Sequence, residues 1–320
     1  MRAFYYIRSA KKHIVMDEEK SRIITGNLAC FGAYLIFGFN IVFCKNIANS
    51  GTVSPMALFC MRSIGALALF WICSLFCGNT GSMQKKDLPK VALASFLGLF
   101  MTQLSFLKAI TMTTAVDASI LSLLSPIMAM IIAAIALKDR IALHGVIGLA
   151  ISFIGVLFLV LNTVSVRSGA ETTSIGGILL MLVNTLSFAS YVGIFKPLIQ
   201  KYDVVTFMKW MFLFSTIYAL PFGLKDLTAI EYSAIPAGII WQILFVVVGA
   251  TFVSYFLIPI GQKRIKPMLV CMYSYVQPVI AMCISLAVGL DTMSWAKGMA
   301  TLMVFAGVSM VNFSPKKTRI

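Results

Sequence analysis

Residues 122–160 and 274–312 align without a gap at one fixed offset: Pro126 and Pro278, Asp139 and Asp291, Phe153 and Phe305, and Gly155 and Gly307 each stand 152 positions apart. A chain with this pattern holds two copies of one unit and has to fold as two related halves. Each copy carries five apolar runs of the roughly 20 residues needed to cross a hydrocarbon core of about 30 Å. They read at 24–45, 54–77, 88–109, 115–137 and 141–161, and again at 175–196, 204–224, 237–260, 267–289 and 293–313. Five is odd, so the second copy enters the bilayer from the side opposite to the first. The expectation is an all-α integral membrane protein of ten transmembrane helices, built as two inverted five-helix repeats. On this reading residues 1–23 are a cytoplasmic N-terminal segment, 24–161 the first repeat, 175–313 the second, and 314–320 a cytoplasmic tail. Inverted repeats of this kind are how many secondary carriers are built, with the ligand at the repeat interface near the midplane.

Composition agrees with a bilayer and not with a water-facing domain. Apolar residues make up 60% of the 320, charged residues only 12%, and the short loops leave no room for a separate extramembrane domain. A net charge of +15 raises the question of nucleic acid, which requires Lys and Arg gathered on one folded surface. Here they partition by loop instead. With the N-terminus inside, 19 of the 26 basic residues fall in inner segments and five in outer ones, Lys45, Lys108, Arg167, Lys225 and Lys297. Arg62 and Lys209 lie within spans. That asymmetry is the positive-inside rule. It puts both termini in the cytoplasm of a multi-pass protein of the cell's inner (plasma) membrane and gives no ground for a nucleic-acid partner.

The first 23 residues contain six basic residues and no long apolar core, so no cleavable signal peptide is expected and the first run itself directs insertion. Met16, followed by Asp17-Glu18-Glu19-Lys20, offers an alternative start. All seven cysteines fall inside the apolar runs without a CxxC pair, as small packing residues do. The two histidines, His13 and His144, have no second plausible ligand near them, so neither a metal nor a cofactor is expected.

Polar residues within the runs follow the repeat. A proline in a membrane helix frees the carbonyl four residues back. Pro126 does this to Ser122 and Pro278 to Ser274, marking two kinks that serve either as packing bends or as gates. Ser119, Ser122 and Ser125 share one face of the fourth run, and their mates are Cys271, Ser274 and Gln277. Gln103 stands 152 positions before Tyr255, while Asn40 and Tyr34 stand 151 before Tyr191 and Thr185. Asn184 and Ser187 share a helical face with Tyr191. The candidate cavity lining is therefore Tyr34, Asn40, Gln103, Ser119, Ser122, Ser125, Asn184, Ser187, Tyr191, Tyr255, Ser274 and Gln277, on runs one, three, four, six, eight and nine. Runs five and ten carry Gly148, Gly155, Gly298 and Gly307 instead, which suit close helix packing or a homodimer contact.

Charge within the runs is scarce. Asp117 falls in the first turn of run four, where free N–H groups and the helix dipole favour a carboxylate. It reads as a cap, an ion-pair partner of Arg62 or Lys108, or a proton-coupling group. Arg62 lies about 10 Å along its helix from Pro55 and has to snorkel, pair or face water. Asp139 and Asp291 open runs five and ten as N-caps. Lys45 and Lys196 match at an offset of 151 near the ends of their runs, where snorkelling is the default.

These residues resemble the EamA family of the drug/metabolite transporter superfamily, over nearly the whole chain and in both copies. Pro55 and Arg62 match a common family pair, and "FLKAI" at 106–110 is similar to the stretch that ends the third family helix. "ASILSLLSPIMAMIIA" from 118 and "KDRIALHGVIGLAISFIGVLFL" from 138 resemble the Ser-rich helix with its proline and the Gly-containing last helix. "YSYVQPVIAMCISLAVGLD" from 273 and "GMATLMVFAGVSMV" from 298 repeat both. The chain departs from the family in three places: Asp139 stands for the usual Glu, Asp291 is followed by Thr292, and Phe37-Gly38 occupies a region where a Trp is common. The resemblance implies a ten-helix carrier whose central cavity is formed by helices one, three, four, six, eight and nine, moving amino acids and other small metabolites, often outward. A membrane enzyme is disfavoured, since there is no HExxH, no G-x-S-x-G and no pair of intramembrane acids. A phosphorylated substrate wants several cations, so neutral or zwitterionic metabolites fit better. Import or exchange of another metabolite, and a helper or sensor subunit that transports nothing, are the rival readings.

Overall fold

The computed structural model describes residues 2–76, 82–125, 127–128, 132, 147–148, 150–155, 157–158, 173–265, 273, 276–290 and 292–312. Of the positions singled out above, Cys77, Pro126, Asp139, His144, Cys271, Ser274 and Asp291 lie outside these, as do the loop charges at 138–140, 167, 266 and 316–319. Among the described residues every regular element is helical. Six stretches are long and apolar enough to cross a membrane: Glu19–Ser50, Pro55–Phe76, Lys85–Thr111, Ile175–Ile194, Val204–Thr228 and Ala237–Arg264.

Local chemistry sets where these helices begin and end. Helix α1 runs unbroken from Arg2 to Ser50, past the boundary expected near residue 24, because nothing before Gly26 is a Gly or Pro that would interrupt it. It stops at Gly51, whose φ of 66° is a left-handed conformation that an L side chain adopts only at a cost. Helix α2 (Pro55–Phe76) opens on a proline pre-set for the first turn, with the Ser54 hydroxyl accepting from the Ala57 N–H at 3.1 Å. The third stretch joins α3 (Leu88–Ser95) to α4 (Thr102–Thr111), and α5 (Ala115–Ser122) follows. In the second half Ser174 caps α6 (Ile175–Ile194), a short α7 (Lys196–Lys201) turns the chain, and Asp203 caps α8 (Val204–Thr228). The stretch Ala237–Arg264, which falls on run eight of the sequence and is called stretch eight, joins α9 (Ala237–Leu244) to α10 (Ser254–Arg264); α11 (Val276–Ala287) and α12 (Trp295–Asn312) complete the described helices.

Stretches three and eight share a feature that periodicity alone did not reveal. Each contains a π-helical insert, Phe96–Met101 between α3 and α4 and Phe245–Val253 between α9 and α10. A π turn widens the helix and leaves carbonyls off the normal ladder. Side-chain hydroxyls reach back five residues to satisfy them: Thr102 Oγ1 donates to the Leu97 carbonyl at 2.8 Å, and Ser254 Oγ to the Gly249 carbonyl at 3.2 Å. The two donors stand 152 positions apart, as do the two acceptors.

Packing crosses between the halves. Helix α1 packs on α10, α11 and the second π insert, while α6 packs on α4, α5 and the first. Helix α2 lies along α8, with Ser54 donating to Asp226 at 2.6 Å, the Ser63 and Ser215 hydroxyls 3.3 Å apart, and Phe70 stacked on Phe212 at 5.4 Å. Residue numbers rise on one helix as they fall on the other, so the pair is antiparallel. A second antiparallel contact joins residues 148–155 to α12. Ser152 donates to the Val304 carbonyl at 3.3 Å, and a Cβ on Gly307 would sit 2.3 Å from the Gly148 carbonyl oxygen. Gly155 and Gly307 are thus used for packing inside the chain, whereas Gly298 faces open space.

One end of the bundle is tied by polar contacts. Lys201 pairs with Asp87 at 2.5 Å and donates to Gln84 at 2.9 Å, while the Tyr202 hydroxyl donates to the same carboxylate at 2.5 Å. The Asp87 carboxylate holds the Lys201 ammonium above the ordinary lysine range.

The tightest point of the α2–α8 seam supplies a test. A Cβ on Gly223 would lie 2.4 Å from Cys60 Sγ and 2.9 Å from the Met56 carbonyl oxygen, whereas one on Gly238 meets nothing within 4 Å. Gly223→Ala is expected to destabilise the protein by about 1–3 kcal/mol through overpacking, and Gly238→Ala to leave it equal or stabler. Thermal unfolding of the detergent-purified variants reads this; equal midpoints for the two would disprove the close approach.

Candidate functional site

Besides Lys45, and Asp87 at the tied end of the bundle, the buried charged residues among those described are Arg62, Asp117 and Lys297, and they form two groups. The first centres on Arg62, which is only 2% exposed. Its Nε donates to Thr251 Oγ1 at 2.9 Å, and one terminal nitrogen reaches Cys44 Sγ at 3.8 Å. The Thr251 hydroxyl spends its own proton on the Val246 carbonyl inside the second π insert, at 2.7 Å, so it meets the guanidinium with a lone pair. Cys44 in turn donates to Asn40 Oδ1 at 3.5 Å. Arg62 of α2 therefore bridges α1 and the eighth stretch. Among the described residues no carboxylate pairs with it. Placing an arginine at this depth costs at least about 2.5 kcal/mol, and a thiol is a weak acceptor for it.

Beside this arginine stand two residues that occupy the same position in their repeats, Gln103 and Tyr255. Tyr255 is 5% exposed and adjoins both Arg62 and Gln103. Gln103 is 3% exposed; its amide lies within reach of the Tyr255 hydroxyl, but neither Nε2 nor Oε1 makes a hydrogen bond of good geometry. An unsatisfied buried amide costs about 1–3 kcal/mol, and native interiors contain few of them. Aromatic rings wall the cluster: Phe37 meets Tyr255 edge-on at 5.8 Å, and Phe212 does so at 5.6 Å. On the Pro55 side, Cys44, Ile47, Val53, Leu58, Leu107 and Ile110 enclose a void of about 10 Å³, which is at the lower limit for a single water. The cluster is closed in that direction.

The second group sits where α5, residue 173 and α12 meet. Thr114 caps α5 by accepting from the Asp117 N–H at 3.1 Å. Asp117, fully buried, is thus in the first turn and is not itself the cap. Its carboxylate accepts from the Thr173 hydroxyl and lies 3.9 Å from Lys297 Nζ, which also reaches Thr114 Oγ1 at 3.5 Å. The Thr114 N–H is completed by Thr173 Oγ1 at 3.2 Å. Of the readings open for Asp117, a cap, an ion pair with Arg62 or Lys108, or a proton-coupling group, the ion pair is met by Lys297 instead, while Thr251 and Cys44 hold the Arg62 guanidinium elsewhere.

The other sequence candidates divide by burial and partner. Tyr34 is buried with its ring edge-on to Phe37 at 6.0 Å. Ser119 and Ser122 return their protons to carbonyls of their own helix, Ala115 and Ala118, and so make the hydrogen bonds of ordinary helix packing. Ser125 and Gln277 are half-buried, and Pro278 is buried within α11. Asn184 donates to the Thr102 carbonyl at 2.7 Å, binding α6 to the end of the first π insert. Ser187 is buried, and Tyr191 lays its ring on Gly98, where a Cβ would be 2.5 Å away. Pro126 and Ser274 are outside the described residues. Thr251, Cys44, Thr173 and Lys297 were missed by sequence reasoning. Thr251 and Lys297 have apolar mates at the repeat offset, Leu99 and Gly145, so symmetry could not find them; the signal that existed was Lys297 in the first turn of its run, as Asp117 is in the first turn of run four.

Breaking a buried pair by removing one partner strands a charge. Lys297→Met is expected to lower stability by about 3 kcal/mol, and adding Asp117→Asn to it to restore most of that loss. Thermal midpoints of the single and double variants decide; a double variant no better than the single would mean that the two charges are not coupled.

Comparison with known proteins places these features in a family. The model of the EamA-like transporter family matches residues 24–161 and again 175–313. The chain therefore belongs to the EamA-like transporter family, within the drug/metabolite transporter superfamily, whose members are transporters and not enzymes. It is 24% identical over 216 residues to the uncharacterized transporter YetK of Bacillus subtilis, covering 66% of this chain and 64% of that one, just under two thirds of its length. It is 29% identical over 204 residues to an uncharacterized transporter of Archaeoglobus fulgidus, covering 63% and 68%. The uncharacterized inner membrane transporter YicL of Salmonella typhimurium is 23% identical over 238 residues, covering 73% and 76%. A solved crystal structure superposes with a TM-score of 0.62 at 17% identity over 89% of this chain and 95% of that one, a likeness of fold.

Proposed function

From membership in this family, we propose that the chain is a secondary or facilitative carrier of small metabolites in the inner membrane, working by alternating access, with export of amino acids or related metabolites as its principal activity. Ten spans form two inverted five-helix units, both termini are cytoplasmic, and the two units rock around a site near the midplane. The observation that carries this is the Arg62–Gln103–Tyr255 cluster, buried where α1, α2 and stretches three and eight converge, with hydrogen-bonding capacity left over. A merely structural core has no use for such capacity, while a solute that enters and leaves has.

Three further features support it. The antiparallel course of α2 against α8, meeting at Ser63 and Ser215, is the geometry of two units related by an axis in the membrane plane. The exchange of partners, α1 with α10 and α11 and α6 with α4 and α5, gives two bodies that tilt without unpacking either. The π inserts put wide, deformable turns beside Gln103 and Tyr255, where such turns often accompany function. Tyr34, Asn40, Ser187 and Tyr191 line this path on the proposed reading, and Asp117 with Lys297 closes the end of α5.

Reconstituted in liposomes, the protein is expected to catalyse counterflow of one or more members of a radiolabelled panel of amino acids and small organic metabolites, at rates absent from empty vesicles. Tags at residues 1 and 320 in intact cells should both be protected from external protease. Vesicles that move nothing would favour the helper or sensor reading, and termini on opposite faces would end the ten-span one.

A further inference from the structure

We infer that Lys263 is the bolt of a cytoplasmic gate: it fastens the inner end of stretch eight to the backbone at Tyr202, and the cytoplasmic face opens when it lets go. This rests on the carrier reading and names the device that works it. The packing divides the helices into two bodies, α1 with α10 and α11, and α6 with stretch three and α5. On the ten-span reading each body is tied within itself at its cytoplasmic end. In the first, Arg22 donates to the Lys263 carbonyl at 3.4 Å, and a Cβ on Gly26 would lie 2.8 Å from Arg264 Cβ, so α1 and the end of α10 are held together. In the second, Asp87 at the start of stretch three accepts from Lys201 and from the Tyr202 hydroxyl, both at 2.5 Å, which joins it to the segment that follows α6. Between the two bodies, where α7 packs on α10, Lys263 Nζ donates to the Tyr202 carbonyl.

The bolt closes over apolar side chains. Tyr202, Leu198 and Phe195 belong to one buried cluster with Tyr191 and Tyr255, so a solute leaving Tyr255 for the cytoplasm meets this cluster. An ammonium on a carbonyl is a reversible fastening. Lys263 is half-buried at a helix end, where its flexible stem can swing the charge out into water. Asp203, which caps α8 beside Tyr202, attracts that ammonium, while Arg264 repels it. The tie within a body has a counterpart at the other face, where Asn46 of α1 donates to Gln242 of α9 at 2.9 Å. The bolt has none. At the repeat offset from Lys263 stands Thr111, whose hydroxyl returns to the Lys108 carbonyl of its own helix at 2.8 Å. Loss of the Lys263 donor therefore removes an interaction made in the cytoplasm-closed arrangement and shifts the balance towards the open one.

A thiol placed under the gate reads its opening without a known solute. Leu198 is 8% exposed, one helical turn before Tyr202. In inside-out vesicles Leu198→Cys is expected to react slowly with an impermeant maleimide, measured above the reaction of the native cysteines alone. Adding Lys263→Met, which keeps the stem and loses the donor, should raise that rate roughly three- to tenfold, and Lys263→Arg should leave it near the parent rate. Unchanged labelling with Lys263→Met overturns the assignment, as does an equal rise with Lys263→Arg, which would trace the effect to packing. The second measurement is counterflow of the amino-acid and metabolite panel in proteoliposomes. Protein carrying Asp203→Cys and Lys263→Cys, joined by a short reducible bifunctional thiol reagent, should stop transporting and recover on reduction, while either single variant treated alike should continue. If Leu198→Cys does not fold, this cross-link decides. Cross-linked protein that transports as fast as reduced protein would show a fixed joint and overturn the gate with the carrier reading intact. Wild-type protein that moves nothing removes the carrier reading and the gate with it.

Discussion

Hydrocarbon offers no hydrogen bonds, so each polar group placed inside this bundle has to be satisfied by the bundle or by something that enters it. That constraint organises the structure. Serine and threonine hydroxyls return their protons to carbonyls of their own helices, as Ser119, Ser122, Thr185 and Thr216 do. Where the helix itself departs from the ladder, at the two π inserts, Thr102, Thr251 and Ser254 each reach five residues back to the carbonyls that the wide turn exposes. Against that economy, Gln103, Gln262, Ser285 and Asp117 Oδ1 are buried among the described residues without a hydrogen bond of good geometry, with Gln103 lying beside the Tyr255 hydroxyl.

The division of labour between repeated and unrepeated residues follows from the same constraint. Residues that obey the 152-residue offset build the frame: Ser63 does not resemble its mate Ser215 by accident of composition, since the two hydroxyls meet where α2 crosses α8. Ser152 likewise meets the carbonyl of its mate, Val304. The residues of the two buried charge groups do not obey the offset, although Asp139 and Asp291 do. The mates of Arg62, Asp117, Thr251 and Lys297 are Phe214, Leu269, Leu99 and Gly145, all apolar. A symmetric frame with an asymmetric interior is what a carrier of an asymmetric solute requires, because both units move alike while one orientation of the ligand is recognised.

This explains what the sequence made legible. For the six stretches long and apolar enough to cross a membrane, existence and approximate bounds followed from apolar runs, since crossing about 30 Å of lipid leaves little freedom in length. The π inserts were invisible because hydropathy is indifferent to whether a turn holds 3.6 residues or more. The continuation of α1 to Arg2 was missed because polar composition was taken to end a span, although it does not end a helix. Polar pairs such as Gln103 with Tyr255 were found by symmetry, and these two do come together. The partner of Asp117 was not, because Lys297 lies 180 positions away in a run whose first turn looked like an interfacial anchor. Long-range pairing between unrelated positions leaves no trace in local pattern.

The two buried charge groups answer the bilayer's cost in opposite ways, and the difference is physical grounds for assigning them different roles. Asp117 and Lys297 stand 3.9 Å apart as opposite charges, with Thr173 donating to one carboxylate oxygen and Lys297 reaching Thr114, while the other oxygen, Oδ1, makes no hydrogen bond of good geometry. A charge with an opposite charge beside it gains less from a ligand, and the pair holds α5 to α12 in any state that keeps them together. Arg62 is held on a hydroxyl and a thiol, partners that orient it without cancelling its charge. The free energy of its burial remains available to whatever brings a negative group. In a carrier, a ligand shifts the balance between conformations only by the difference in its affinity for them. On the proposed carrier reading, Arg62, which no described carboxylate pairs with and which bridges α1, α2 and the second π insert, is therefore the group through which occupancy would be converted into movement.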